Sequence, residues 1–215
     1  DIVINLAAQA GVRYSIEKPS EYFKSNFLGF FNIIELSRSQ NVKKIFYASS
    51  SSVYGENKNF PLKENEKIYP KNIYGLSKKV NEEISYIFNK FYNLKLTGLR
   101  FFTVYGEWGR PDMMIVKFIS SFFNKSTFKL YNFGNHTRDF TYVGDVVEIL
   151  SQLLKKNRYL SSNDILNICS NKPINLNKII LHLKSQNINP KIKKISLQKA
   201  DILKTHGDNS KIIKI

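Results

Sequence analysis

A hydroxyl, a phenol and an ammonium are the side chains of this sequence best suited to proton transfer. Ser50 lies in a run of four serines that follows the apolar residues 45–47 and Ala48, and Tyr74 and Lys78 follow further along the chain. Residues four apart on a helix share a face, so we expect the Lys78 ammonium to lie near the Tyr74 phenol. A nearby cation favours the phenolate and lowers the pKa of a tyrosine from its usual value of about 10. The three side chains together predict a site that takes a proton from a substrate hydroxyl.

The Tyr-x-x-x-Lys spacing alone carries little information, because lysine and tyrosine are both frequent in this chain. The spacing occurs four times, beginning at Tyr14, Tyr54, Tyr74 and Tyr86. Only Tyr74 stands at an expected helix start, after a strand that ends in serines. The structural alternatives are an exposed helical pair for Tyr74 and Lys78 and a simple turn for the serines.

Alternating strand and helix patterns organise the rest of the chain. We expect strands at residues 1–8, 43–47, 96–104 and 165–169, the first of them buried. We expect helices at residues 20–40, 74–92, 117–124, 144–154 and 175–185. Ser20 and Asn175 stand where helix caps are expected. Strands and helices in this order indicate a parallel sheet with crossover helices.

Large apolar residues recur at helical spacing in the first two of these helices, and we expect their side chains to face the core. They are Phe23, Phe27, Phe30, Phe31 and Ile34 in the first helix, and Val80, Ile84, Phe88 and Phe91 in the second.

The composition limits the class of protein. The 215 residues carry a net charge of +16, but the excess is almost entirely lysine without a recognition motif, so we expect no nucleic-acid partner. The single cysteine, Cys169, excludes an internal disulfide and suits a reducing compartment. No apolar run approaches the roughly 18 residues of a membrane helix, so we expect a cytoplasmic protein without a membrane partner. The histidines lack metal-ligand spacing, and we expect no metal.

The glycines indicate that part of the expected fold lies outside these residues. None of the ten glycines belongs to a Gly-x-Gly-x-x-Gly sequence, the strand-to-helix turn that holds a dinucleotide pyrophosphate. The sequence also opens within a strand pattern, without a methionine, and stops without a closing helix. We therefore expect a fragment that lacks about 75 residues at the front and some at the end.

Six segments, in family order, resemble the extended short-chain dehydrogenase/reductases, in particular the UDP-glucuronate 4-epimerases. They are residues 6–13 (LAAQAGVR), 48–55 (ASSSSVYG), 74–78 (YGLSK), 99–106 (LRFFTVYG), 108–113 (WGRPDM) and 138–145 (RDFTYVGD). Asn5 stands where the family usually has histidine, which is a mild departure. The missing glycine turn is the main departure, and it predicts weak cofactor binding and inactivity of these residues on their own.

The resemblance implies an α/β fold. We expect a Rossmann-like, doubly wound parallel sheet, N-terminally truncated, with a smaller, interleaved C-terminal α/β substrate domain. Residues 1–106 and 141–170 would form the NAD-binding Rossmann part. Residues 107–140 and 171–215 would form the substrate-binding part, incomplete at its C-terminus. The helices at 20–40 and 74–92 resemble those through which relatives dimerise as a four-helix contact, so we expect a homodimer.

The residues after Ser50 distinguish the reactions of this family. Relatives that eliminate water or carbon dioxide from a sugar carry acidic residues there, whereas this chain has Ser51 and Ser52, which do not titrate near neutral pH. Thr103 stands where UDP-galactose 4-epimerases have asparagine and the uronate epimerases have threonine. The resemblance therefore implies NAD-dependent 4-epimerisation of UDP-glucuronate to UDP-galacturonate through a 4-keto intermediate, in the synthesis of surface polysaccharide.

The resemblance also implies residue roles. Tyr74 as phenolate takes the proton of the C4 hydroxyl, Lys78 tunes Tyr74 and bonds the nicotinamide ribose, and Ser50 bonds the C4 oxygen. The other positions that match the NAD site are Ala7, Ala8, Gln9, Asn26, Ser49 and Phe102. The candidates for holding the sugar carboxylate are Ser51, Ser52, Thr103 and Arg13. The candidates for the diphosphate are Arg110 and Arg138, and the candidate for the uridine ribose is Asp201.

Other hypotheses stay open at this point. A second enzyme hypothesis is another UDP-hexose or hexosamine 4-epimerase, and a different class is a catalytically silent scaffold without cofactor. The residue-level alternatives are a surface position for Arg13, Arg110 or Asp201, a strand-packing role for Thr103, and an ion pair of Arg138 with Asp139 or Asp145.

Overall fold

The computed structural model describes residues 1–156 and 160–215. Its strands are β1 (Ile2–Asn5), β2 (Lys44–Ser50), β3 (Leu96–Phe101), β4 (Thr103–Tyr105), β5 (Thr127–Tyr131), β6 (Thr137–Tyr142), β7 (Asn163–Ile168), β8 (Pro173–Asn175) and β9 (Lys191–Ile195). Its α-helices are α1 (Tyr14–Glu17), α2 (Pro19–Tyr22), α3 (Gly29–Ser39), α4 (Ile73–Tyr92), α5 (Met114–Phe123), α6 (Val143–Lys155), α7 (Leu176–Ser185) and α8 (Ser210–Ile213). A π-helical turn, Phe23–Leu28, joins α2 to α3, and short 3-10 helices occupy Ser51–Tyr54 and Asn132–Gly134.

Four parallel strands form the central sheet, in the order β1-β2-β3-β7. In this register Tyr47 of β2 lies beside Asn5 of β1 on one side and beside Gly98 of β3 on the other. The carboxyl ends of parallel strands meet at one edge, which is where open α/β sheets bind their ligands. Ser50 is the last residue of β2 and therefore lies at this edge.

Helices cover both faces of this sheet. Ile45 and Tyr47 of β2 pack on one face with Phe30 of α3 and Phe88 of α4. Phe46 of β2 packs on the opposite face, in a cluster that also includes residues of α6. A strand buried on both faces has a continuous apolar sequence, as residues 45–47 do. The predicted doubly wound α/β arrangement is therefore confirmed for the described strands.

Two strand predictions need correction. β1 was expected to be buried, but Ile2 is 38 % and Ile4 is 41 % exposed, because β1 pairs on one side only, with β2, among the described residues. The strand expected at 96–104 is two strands. β3 ends at Phe101, the buried Phe102 follows, and β4 pairs with β6 in a different sheet.

The helix expected at 20–40 is interrupted. Pro19 begins α2, so Ser20 lies inside the helix and is not its cap. The π-helical turn changes the helical phase. The regular α-helical spacing, which would have directed all the phenylalanines of this helix toward the core, is therefore interrupted. Phe30 and Ile34 are buried, whereas Phe23 is 54 % and Phe31 is 43 % exposed.

The remaining long helices follow their predictions more closely. α4 places Phe88 in the core but leaves Phe91 exposed near its end, which corrects the expectation for Phe91. The Asn175 side chain accepts a hydrogen bond from the Asn177 backbone amide and caps α7, as predicted. Within the described ranges, no helix combines the length and the apolar character needed to cross a membrane.

A smaller α/β part lies beyond the carboxyl edge of the central sheet. It contains the three-stranded sheet β4-β6-β8 and the parallel pair β5-β9. Its core includes Phe118 of α5, Phe128 and Leu130 of β5 and Ile180 of α7. The division of the chain at residues 106, 140 and 170 stays a prediction, and its third segment includes residues 157–159, outside the described residues.

Candidate active site

Ser50 and Tyr74 meet where β2 ends and α4 begins. The Asn72 side chain caps α4 by accepting a hydrogen bond of 2.8 Å from the Gly75 amide. Gly75 lets this turn approach the 3-10 helix closely, because a Cβ there would lie 2.6 Å from the Ser52 carbonyl oxygen. Burial raises the pKa of the Tyr74 phenol, and the nearby Ser50 hydroxyl opposes this rise. The Ser50 hydroxyl also accepts a hydrogen bond from the Ser52 amide.

Lys78 is buried one turn further along α4, and its ammonium donates a hydrogen bond of 2.7 Å to the Ala48 carbonyl oxygen. Burial lowers the pKa of Lys78 to about 8. The expected influence of Lys78 on Tyr74 needs revision, because the positive charge that lowers the Tyr74 pKa belongs to Arg110. The sequence could not indicate this partner, because residues 74 and 110 come together only through the fold.

A cavity of about 870 Å³ lies at the carboxyl edge of the sheet, in contact with Ser50 and Tyr74. Most of the candidate residues from the sequence line it: Ala8, Gln9, Arg13, Ser50, Ser51, Ser52, Tyr74, Phe102, Thr103, Arg110, Arg138 and Asp201. The structure therefore brings residues from the loop after β1, from β2, α4, β4 and β6 and from the C-terminal segment to one site. The four candidates outside its lining are Ala7, Asn26, Ser49 and Lys78.

Asn26 acts on the loop that follows β1. Its side chain accepts a hydrogen bond of 2.8 Å from the Gln9 amide and donates one of 2.9 Å to the Gln9 carbonyl oxygen. A third hydrogen bond, of 2.9 Å, joins Asn26 to the Ser77 hydroxyl on α4. Asn26 is buried on the π-helical turn and so fixes the loop relative to α4. Ala7 is exposed in the same loop.

Ser49 does not face the cavity. Its hydroxyl donates a hydrogen bond of 2.5 Å to the Glu82 carboxylate, inside the protein between β2 and α4. Ser49 is buried because alternate residues of a strand point to opposite faces, and its neighbour Ser50 takes the position at the cavity.

Arg13 and Asp201 form a two-pronged ion pair. The Arg13 NH2 nitrogen lies 2.9 Å from one Asp201 carboxylate oxygen, and its Nε lies 3.2 Å from the other. The Arg13 guanidinium also stacks 3.5 Å above the centre of the Tyr131 ring. Asp201, the candidate for the ribose, is therefore a buried carboxylate that pairs with Arg13, rather than a solvated loop residue.

Arg138 and Arg110 are each held by defined partners. Arg138 donates hydrogen bonds to the backbone carbonyl oxygens of Thr137, Leu203 and Ile202, at 2.9, 3.1 and 2.6 Å. Burial lowers the pKa of Arg138 to about 10, against the raising effect of Asp201. The alternative ion pair with Asp139 is not formed, since the Asp139 carboxylate accepts from Ser170 and Gly207.

The Arg110 guanidinium donates two hydrogen bonds of 2.8 Å to the Asp112 carboxylate, and both residues line the cavity.

Sequence reasoning missed Tyr22 and Asp112. The Tyr22 hydroxyl donates to the backbone carbonyl oxygens of Ala10 and Gly11, and its ring meets the Tyr74 ring edge-on with centres 6.2 Å apart. Burial raises the pKa of Tyr22 to about 12. Asp112 had a signal in the sequence, because it stands two residues after Arg110 in one of the motif segments.

A second cavity, of about 620 Å³, adjoins the first and shares Arg13, Thr103 and Arg138 with it. Apolar residues from three elements make up much of its wall: Ile115, Val116, Ile119, Phe128, Leu130 and Phe140. An apolar wall beside cationic groups suits a ligand with a flat ring system and an anionic part.

Comparisons with known proteins place this geometry in context. Residues 1–169 match the NAD dependent epimerase/dehydratase family. Protein CapI of Staphylococcus aureus is 42 % identical over 97 % of this chain and 67 % of its own length. UDP-glucuronate 4-epimerase 4 of Arabidopsis thaliana is 48 % identical over 68 % of this chain and 35 % of its own length. The chain thus spans at most about two thirds of these two relatives.

Solved structures agree with the fold. The UDP-glucuronic acid 4-epimerase from Bacillus cereus, in complex with UDP-glucuronic acid and NAD, superposes with a TM-score of 0.91 at 26 % identity and covers 100 % of this chain and 68 % of its own. MoeE5 in complex with UDP-glucose and NAD superposes with a TM-score of 0.93 at 30 % identity, covering 100 % of this chain and 72 % of its own. The Rossmann-like α/β fold is therefore confirmed.

Proposed function

Because the chain belongs to the NAD dependent epimerase/dehydratase family, we propose that it carries out the NAD-dependent 4-epimerisation of a UDP sugar, with UDP-glucuronate and UDP-galacturonate as the pair. The observation that carries this proposal is the shared cavity of Ser50, Tyr74, Ser51, Ser52 and Thr103. It combines a proton-transfer pair with neutral hydroxyls and contains no acidic residue at positions 51 and 52.

Lys78 and the end of β1 fit the nicotinamide half of NAD. An ammonium has three N–H donors, and the one hydrogen bond that Lys78 makes within the described residues goes to Ala48, which leaves donors for a ribose hydroxyl. Ala7 and Ala8 are small and exposed at the carboxyl end of β1, which leaves room for the cofactor. When bound, NAD supplies a hydride acceptor and donor for the sugar C4 carbon. Residues 1–215 hold no glycine turn to which the pyrophosphate could be assigned.

Tyr74 and Ser50 would transfer the proton of the C4 hydroxyl. Burial favours the neutral phenol of Tyr74, while the nearby Ser50 hydroxyl and the charge of Arg110 favour the phenolate. The Ser50 hydroxyl can bond both the Tyr74 oxygen and the substrate oxygen, because a hydroxyl donates once and accepts twice. Tyr74 would take the proton as C4 is oxidised and return it when C4 is reduced from the opposite face.

Ser51, Ser52 and Thr103 would hold the sugar carboxylate. A 4-keto uronic acid is a β-keto acid, which loses carbon dioxide when its carboxylate moves into apolar surroundings. Hydroxyl donors keep the carboxylate hydrogen-bonded and charged. All three residues are half-buried at the cavity wall, where they would exclude bulk water without presenting an acid to protonate the intermediate.

Arg138 and Arg110 would bind the diphosphate, and the Arg13–Asp201 pair would lie beside the nucleoside. A guanidinium fork matches two phosphate oxygens, and a substrate phosphate would replace Asp112 as the partner of Arg110. The apolar wall of the second cavity would receive the base.

Exposed apolar residues support a homodimer. Phe23, Leu28 and Phe31 are exposed and line a shallow apolar groove with Phe27 and Ile84, between the interrupted helix and α4. A second copy that covers this groove would remove a contiguous apolar patch from water.

The full-length gene product should be incubated with NAD and, separately, with UDP-glucuronate, UDP-glucose and UDP-N-acetylglucosamine. We expect UDP-galacturonate from the first and at least about tenfold slower turnover of the others. Preferred turnover of UDP-glucose or UDP-N-acetylglucosamine would favour a hexose or hexosamine 4-epimerase. Release of carbon dioxide as the main reaction, or no turnover of any sugar, would contradict the proposal.

A further inference from the structure

A buried ion pair lies behind the cavity, between α4 and β3. The Arg100 guanidinium donates two hydrogen bonds to the Glu82 carboxylate, from Nε at 2.9 Å and from NH2 at 2.8 Å. Glu82 is 8 % and Arg100 is 4 % exposed. Neither residue lines a cavity at the candidate active site, so neither can contact a ligand there.

Glu82 lies on the same face of α4 as Tyr74 and Lys78, because residues four apart on a helix are aligned. Two of these side chains bond to the end of β2, and the third lies beside it. The Lys78 ammonium donates to the Ala48 carbonyl oxygen at 2.7 Å, and Glu82 accepts from the Ser49 hydroxyl at 2.5 Å. The Tyr74 phenol is near enough to the Ser50 hydroxyl for that hydroxyl to oppose the raising effect of burial on its pKa. Two successive turns of the helix are thus fixed to the strand, next to the turn that carries Tyr74.

The opposite side of the same ion pair reaches the 3-10 helix Ser51–Tyr54. The Arg100 NH1 nitrogen donates to the Tyr54 hydroxyl at 2.9 Å and to the Glu64 carbonyl oxygen at 2.9 Å. The Tyr54 hydroxyl in turn donates to the Asn167 side-chain oxygen of β7 at 2.7 Å. Arg100 therefore holds the far end of the short helix that carries Ser51 and Ser52 at its start.

Burial of this ion pair is weak evidence that it stabilises the fold. Replacing a buried ion pair with well-packed apolar residues of similar size is often neutral or stabilising, whereas removing one partner is strongly destabilising. Apolar residues, however, do not form the directional hydrogen bonds that fix the rotation of a helix against two strands.

We propose that the Glu82–Arg100 ion pair is a positioning device that sets Tyr74 and Lys78 on α4 relative to Ser51 and Ser52 on the 3-10 helix. Neither residue is a catalytic residue, because both act through the side chains that they hold. This inference rests on the proposed function for the roles of Tyr74 and the two serines, but its geometry does not depend on the identity of the sugar.

The double variant Glu82→Leu/Arg100→Met tests the proposal, since it removes both charges and keeps the volume. In the full-length protein we expect the double variant to fold with a melting temperature lowered by at most about 10 °C, because the buried Ser49 hydroxyl and Glu64 carbonyl lose these partners. We expect kcat to fall by at least about tenfold while KM changes by less than about threefold. Wild-type kcat in a folded double variant would overturn the proposal.

Tyr54→Phe is the second variant, because it removes only the hydroxyl that links Arg100 to the 3-10 helix and leaves the buried ring. We expect it to fold and to lower kcat by about threefold to tenfold. Wild-type kcat and KM in Tyr54→Phe would show that Arg100 does not position Ser51 and Ser52 through Tyr54. This result would overturn that part of the proposal whether or not the double variant folds.

Ionisation of Tyr74 gives a readout that needs neither substrate nor cofactor. The protein can be labelled at the ζ carbon of its tyrosines and titrated by NMR. The Tyr74 signal is the one that is absent from the spectrum of Tyr74→Phe, and its shift is followed against pH. We expect the Tyr74 pKa to rise in the double variant, because displacement of α4 moves the phenol away from the Ser50 hydroxyl, which opposes the raising effect of burial. If the Tyr74 pKa is raised in the double variant but the wild-type protein has no epimerase activity, the proposed function is wrong and the positioning role is supported. An unchanged pKa in the folded double variant would sink the positioning role itself.

Discussion

The Lys78 ammonium donates a 2.7 Å hydrogen bond to the carbonyl oxygen of Ala48 on β2. This contact joins the helix that carries Tyr74 to the strand that ends at Ser50. The lysine expected to act directly on the phenol is thus also a structural link between the two elements of the proton-transfer pair. The charge that acts on the phenol comes instead from Arg110, which lines the same cavity as Tyr74.

Tyr74→Phe should lower kcat by about 10²- to 10⁴-fold, because the variant lacks the hydroxyl that transfers the proton. Conversion of UDP-glucuronate with added NAD gives the rate. The matched control is Tyr86→Phe, since Tyr86 begins another Tyr-x-x-x-Lys spacing on α4 but is exposed and away from the cavity. Equal rates in the two variants would contradict the role of Tyr74.

Lys78→Met should change how stability depends on pH. Burial lowers the Lys78 pKa to about 8 in the folded protein, against about 10.4 for an unperturbed lysine. Between these values the unfolded chain binds more protons at this site, so a rise in pH favours the folded state. We expect the free energy of unfolding of the cofactor-free wild type to increase relative to Lys78→Met between about pH 8 and pH 10. Urea unfolding measures both, and parallel pH curves would count against the lowered pKa of Lys78.

Ser51→Ala/Ser52→Ala should redirect the product. Without these hydroxyls the carboxylate of the 4-keto intermediate loses hydrogen-bond donors in an enclosed site, which favours loss of carbon dioxide. We expect the fraction of turnover that releases carbon dioxide to rise by at least about tenfold. This rise corresponds to the loss of about 2 kcal/mol of hydrogen bonding to the carboxylate. Ser39→Ala, at the exposed end of α3, is the control. An unchanged product ratio would remove the serines from carboxylate binding.

Arg138→Met should weaken the binding of UDP by at least about tenfold, because a charge-assisted pair with phosphate is lost. Calorimetric titration with UDP measures this directly, without catalysis. Arg38→Met is the comparison, since Arg38 is exposed on α3 and pairs with Glu35. Equal affinity of the two variants would show that Arg138 serves only its contacts with the Ile202 and Leu203 carbonyl oxygens.

Phe31→Glu should convert a dimer to a monomer, because a carboxylate placed in the apolar groove prevents its burial against a second copy. Leu181→Glu, at an exposed position of α7, should leave the mass unchanged. Light scattering of the full-length protein gives both masses. A wild-type monomer, or a Phe31→Glu dimer, would refute the interface.

The sequence predicted the elements that depend on local pattern. The apolar residues of β2, the serines after them and the helical spacing of α4 are each encoded within a few neighbouring residues, so Ser50 and Tyr74 could be placed together. The phase of α2 and α3 could not be predicted, because the inserted π-helical turn breaks the regular period that the phenylalanines suggested. The sequence also did not predict the side-chain pairs that only the fold brings together. These pairs are Arg13 with Asp201 and Glu82 with Arg100, whose members are well separated in the chain.

The most direct test of the proposed epimerisation follows the hydrogen at C4. UDP-glucuronate deuterated at C4 should be converted by the full-length protein with NAD, and the product examined by proton NMR. We expect UDP-galacturonate that retains deuterium at C4, since the hydride leaves and returns to the same carbon while Tyr74 handles only the hydroxyl proton. Loss of the label from C4, or a product with the original C4 configuration, would contradict the account.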